Sequence, residues 1–101
     1  MHRRLELQML LETIMGSRNV YFQPPASVSL SYPAIVYAFD GIKSNYSNDK
    51  KYSMHDYYDI TLIQISQDLT IIDKLLMLDY CEMHSHYVVD NLYHYKFKLF
   101  F

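Results

Sequence analysis

The sequence predicts an α+β fold: a mainly antiparallel sheet with two helices packed on one face, and a long loop connecting two of the strands. Three observations point there. Apolar residues recur at helical spacing over residues 7–14, switch to two-residue alternation beyond residue 20, and return to helical spacing only over 69–78. The order helix, strands, long loop, strand, helix, two strands suits helices laid on one face of a sheet. Half of the 101 residues are apolar, with only 2 Gly and 3 Pro, which is too hydrophobic and too poor in breakers for a disordered chain. One domain spanning 1–101 with a single core is expected.

The first helix rests on Leu7, Leu10, Leu11 and Ile14, which share one stripe, and Gly16 is placed to end it in the left-handed conformation. Val20 and Phe22 form a short extended piece closed by Pro24 and Pro25. Val28, Leu30 and Tyr32 alternate with Ser27, Ser29 and Ser31, which predicts a half-buried edge segment. The run from Ala34 to Phe39, bounded by Pro33 and by Asp40 with Gly41, reads as a central strand.

From Asp40 to about Met54 the chain turns polar, and this is the predicted long loop. A long strand follows from His55 to about Ser66, with Tyr58, Ile60 and Leu62 on one face. Ile63 and Ile65 fall on the other, which suggests a bulge or a far end covered on both sides. A second helix over Leu69–Leu78 is capped by Asp68 or Thr70 and turns Ile72, Leu75, Leu76 and Met77 inward. The last element is a hairpin turning at Asp90 and Asn91. Cys81, Met83 and Tyr87 lie on one face of its first strand, and Tyr93, Tyr95, Phe97, Leu99 and Phe101 on one face of its second.

Composition excludes several function classes. Nine Lys and Arg against eleven Asp and Glu leave a net charge of −2, which disfavours a generic nucleic-acid binder. A single cysteine, Cys81, forms no intramolecular disulfide and reads as a small buried hydrophobe. No apolar run approaches a membrane span, and the first residues lack the pattern of a signal peptide, so a soluble protein made in a cytoplasm and without membrane contact is expected.

Chemistry-bearing constellations are few. His84 and His86 on one strand face, with His94 on the paired strand and Glu82 beside them, could gather as metal ligands; a solvated His-rich face is the plainer alternative. Two glycines cannot build a phosphate loop, and Asp56 and Asp59 point to opposite faces of a strand. No catalytic residue, cofactor or metal ligand is therefore assigned, and the chain is expected not to be an enzyme. The polar loop instead combines Lys43, Lys50 and Lys51 with Tyr46 and Tyr52, charge beside aromatic anchors, and these five are the candidate interaction residues. A plain solvated loop is the alternative. The stretch Asn19 to Pro25 is either an aromatic-proline contact surface or a packed corner.

The segments Leu-Leu-Glu at 10–12, Gly-Ser-Arg-Asn-Val-Tyr-Phe-Gln-Pro-Pro at 16–25, Tyr-Pro-Ala-Ile-Val-Tyr at 32–37, Tyr-Asp-Ile-Thr-Leu-Ile at 58–63 and Asp-Asn-Leu-Tyr-His at 90–94 span most of the chain. Together they resemble small tail-terminator or tail-completion proteins of long-tailed bacteriophages. The resemblance implies a compact α+β structural protein of the virion neck, at the head-tail junction, assembled in the host bacterial cytoplasm. Its implied partners are further copies of itself in a hexameric ring, the tail tube protein, and a head-closure or adaptor protein. No sequence-specific nucleic acid is implied, although the genome would pass through the ring lumen. A head-side adaptor or closure ring is the nearest alternative. From other classes stand a small metal-dependent enzyme built on His84, His86 and His94 and a nucleic-acid-binding module.

Overall fold

A computed structural model describes the backbone of residues 3–47 and 50–101 and, outside residues 43–55, their side chains. In order these form α1 (Arg4–Met15), β1 (Val20–Phe22), β2 (Ala34–Ser47), β3 (Lys50–Gln64), α2 (Thr70–Leu76), β4 (Cys81–Val89) and β5 (Leu92–Phe100). The strands make one sheet in the order β1-β2-β3-β5-β4. β1 runs parallel to β2, and the other pairings are antiparallel.

Both helices lie on one sheet face. Leu7 and Leu11 of α1 and Ile72 and Leu75 of α2 pack with Ile35 and Tyr37 of β2, Tyr58, Ile60 and Leu62 of β3, and Tyr95, Phe97 and Leu99 of β5. Fully burying one Leu or Ile side chain is worth roughly 1.5–3 kcal/mol, so this cluster is the main source of stability. Leu10 and Ile14 flank it, as their place in the helical stripe requires. Gly16 closes α1 at φ 73°, donating its N–H to the Glu12 carbonyl at 2.9 Å.

A polar tie fixes α1 against the sheet. The Tyr37 hydroxyl donates to Gln8 Oε1 at 2.5 Å, and Gln8 Nε2 donates to the Val20 carbonyl and to Glu12 at 3.1 and 3.0 Å. A tyrosine buried in the core thereby keeps its hydroxyl satisfied. Burial raises the Tyr37 pKa above its ordinary value, with Arg4 opposing the shift.

Four expectations are corrected. The polar segment 40–54 is not a long loop: β2 and β3 pair out to Ser47 with Lys50. Polar composition suggested a loop because alternation marks a strand only where one face is buried. Here the strands run past their helical cover, and Phe39 and Ile42 are already 42% and 45% exposed. The molecule is accordingly 50 Å long and 25 × 23 Å across.

Residues 27–33 form no strand despite their alternation. Val28 is exposed, and β1 occupies the sheet position beside β2 at Ile35–Tyr37, so those alternating residues have no ladder to join there. In the second helix Leu76 and Met77 point outward, because the stripe that meets the core runs through Ile72 and Leu75 to Leu78 and they lie off it. Asp68 serves the start of α2, accepting from the Thr70 N–H and hydroxyl at 3.0 and 2.7 Å, which lowers its carboxyl pKa. The fourth correction, the face of Tyr87, follows from a bulge in β4.

Candidate interaction surface

The β4–β5 hairpin turns as its sequence predicts. Asp90 and Asn91 sit at φ 52° and 62°, the pair of positive angles that a two-residue type I′ turn needs. Along β4 the register advances from Met83↔Phe97 to Ser85↔Lys96, which leaves His84 as an extra residue. One inserted residue exchanges the faces for the rest of the strand. Tyr87, expected inside, instead pairs with His94 and stacks on it at 4.8 Å between ring centroids. His86 moves to the face of Tyr95, whose ring lies 6.3 Å away.

That bulge dissolves the proposed three-histidine site, since His86 and His94 occupy opposite faces of the sheet. Among the described residues no three His, Cys, Asp or Glu side chains are grouped as a metal would require. Cys81 packs against the core next to Leu99, and burial pushes its thiol up to about 11, assisted by Glu82. A thiol held in its protonated form is a poor nucleophile at neutral pH. Asp56 and Gln64 are buried at two points along β3.

The five candidate interaction residues share one region. Lys43 and Tyr46 lie on β2, and Lys50, Lys51 and Tyr52 on β3, in the arm that extends beyond the helices. Their side chains lie outside the described residues. The backbone pairs Ser47 with Lys50 and Tyr46 with Lys51, and a register shift separates Asn45 from Tyr46.

The arm joins the body at a second irregularity, between Phe39↔Tyr58 and Gly41↔Tyr57, with Asp40 as the extra residue. Tyr57 folds its ring over Gly41 on the face away from the helices. A β-carbon at position 41 would sit 2.6 Å from the Tyr57 hydroxyl oxygen, so the ring in this position requires glycine beneath it. The same ring meets Phe100 at 5.5 Å and carries the Lys98 ammonium 4.7 Å above it.

Two rows of main-chain groups at the sheet's margins lack a strand neighbour among the described residues. On one side β1 covers β2 only at Ile35–Tyr37. Gln23 prolongs that cover, its N–H donating to the Tyr37 carbonyl at 2.9 Å and its Oε1 accepting from the Phe39 N–H at 3.1 Å. Beyond Phe39 the margin of β2 is open. On the other side β4 pairs with β5 alone, and its end carries Tyr87, Val88 and Val89, 42–58% exposed. Edge strands are commonly guarded by Lys, Pro or a bulge; residues 81–89 contain neither Lys nor Pro, and the bulge at His84 leaves residues 85–89 beyond it. Sequence reasoning missed this edge. The lack of charge in Tyr87–Val89 is visible in the sequence, but strand order decides that it lies at a margin.

A depression of about 360 Å³ lies where Arg3 and Leu10 of the first segment meet Leu78, Asp79 and Tyr80 and the end of β5. The Arg3 guanidinium sits 4.2 Å over the Phe101 ring on its wall. Its lining is mostly apolar, with one acid, Asp79, and one base, Arg3.

No protein-family model matches the chain, and a search of curated proteins finds no significant relative. Among the described residues no helix is long and apolar enough to cross a membrane.

Proposed function

We propose that this chain is a structural protein of the bacteriophage neck that forms a hexameric ring, terminates the tail tube and joins the tail to the head. The observation that carries this reading is the division of the molecule into two chemically different ends. A helix-covered body holds the core, while a two-stranded arm bearing Lys43, Tyr46, Lys50, Lys51 and Tyr52 continues beyond it in a molecule 50 Å long. A ring subunit needs unlike patches for its two neighbours and separate axial surfaces for the components above and below. The distinctive segments spread from residue 10 to residue 94, with their resemblance to tail-terminator proteins, support the same assignment.

Electron imaging of the purified protein mixed with purified tail tubes tests it. Six-fold rings capping one end of each tube are expected. Rings that bind emptied heads and ignore tubes would move the protein to the head-side adaptor or closure ring. Failure to bind either component would overturn the neck assignment.

A further inference from the structure

The two open margins of the sheet are complementary to each other. β2 and β5 run one way and β3 and β4 the other, so β4 of one copy set beside β2 of a second, identically oriented copy is antiparallel to it. Antiparallel addition gives well-aligned hydrogen bonds to groups that otherwise face water. The lengths agree as well: β4 has nine residues, and the open stretch of β2 covers residues 40–47.

Charge and apolar surface agree with the direction. From residue 81 to 91 the chain carries Glu82 and Asp90 and no Lys or Arg, whereas the open stretch of β2 carries Lys43 against Asp40, and Lys50 and Lys51 follow at the start of β3. Exposed Tyr87, Val88 and Val89 on β4 find counterparts in exposed Phe39 and Ile42 on β2. Pairing β4 with β4 across a two-fold axis would instead leave the margin of β2 open.

We propose that copies of this chain associate edge to edge, β4 of one against the outer half of β2 of the next, so that one sheet continues from subunit to subunit. The interface is heterologous, and it closes into a ring if the rotation per subunit allows. The proposal deepens the neck-ring reading and rests on it for the closed form.

Disulfide trapping tests it in a Cys81→Ser background. One chain carries Ile42→Cys and a second carries His84→Cys, His86→Cys or Val88→Cys in turn; the two are mixed and oxidised. Cβ atoms must approach to about 3.5–4.5 Å for a bond to form, so one register position should yield the mixed dimer in preference to the others. In parallel, Val88→Lys in the natural chain should weaken self-association at least tenfold by light scattering and leave the melting curve unchanged, because Val88 is exposed in the single copy. Cross-links between two β4 strands would overturn the proposal in favour of a two-fold dimer. A monomer at every concentration, alone and with tail tubes, would overturn it outright. Rings on tubes without the position 42 cross-link would remove this interface and keep the neck assignment. A cross-linked assembly that ignores tubes and heads would keep the interface and remove the neck assignment.

Discussion

The two ends of the β2–β3 hairpin are built for different purposes. At the covered end Ile35, Tyr37, Ile60 and Leu62 are at most 1% exposed and pack with both helices. Past the Asp40 irregularity the same two strands continue into an arm whose first residues, Gly41 and Ile42, are half-buried and exposed. One pair of strands thus divides its labour under the proposed assembly: burial under the helices holds the fold, and the arm is the part assigned to meeting a neighbour. Substitutions should therefore damage stability at one end and assembly at the other.

The largest effects belong to the covered end. Phe97→Ala should cost about 3–5 kcal/mol and Leu11→Ala about 2–5 kcal/mol, since both side chains are fully buried. Against a usual total of about 5–15 kcal/mol, either variant leaves a marginal protein. Denaturant midpoints measure this, and an unshifted midpoint for Leu11→Ala would break the assignment of the α1 face.

At the junction, Gly41→Val should destabilise by about 1–3 kcal/mol through overpacking against Tyr57. Adding Tyr57→Ala should make the second substitution less costly than it is alone. Additive effects in that double-mutant cycle would show that the ring does not rest on position 41.

Alkaline titration probes the core margin. The Cys81 thiol is raised from 9.0 to about 11 by burial, so the folded state keeps its proton where the unfolded chain loses it. Its contribution is full below pH 9, declines above that, and is lost as pH rises through about 11. Tyr37 and Tyr58 are also raised above 10, in both cases chiefly by burial, and they act in the same direction at higher pH. Thermal melts should fall in this alkaline range, and Cys81→Ala should flatten the early part of the fall.

The smallest effect on stability is expected in the arm. Lys50→Glu combined with Lys51→Glu should change unfolding free energy by no more than about 0.5 kcal/mol. The same double variant should impair ring assembly, read by light scattering and by infectivity of the assembled phage. Normal assembly would sink the role given to the arm.

Much of the body was legible in the sequence. Helical spacing located α1, Gly16 ended it, and the alternation of Tyr93 to Phe101 marked the inward face of β5. These are local signals, because burial of one face imposes its period on the residues that build it. The arm was read as a loop because its composition is polar and lacks the apolar alternation that marks a half-buried strand. Tyr87 and the histidines failed differently, since the extra residue His84 exchanges faces without changing the apolar alternation that precedes it.

By itself, then, the sequence determined the α+β class, most of the core residues, the Asp90-Asn91 turn and the placement of lysines and tyrosines around residues 43–52. Only the tertiary structure decided the strand order, and with it which rows of main-chain groups stand open to another copy. Periodicity reports whether a residue is covered. Which strand lies beside which is settled by contacts between residues far apart in the chain, where no local pattern reaches.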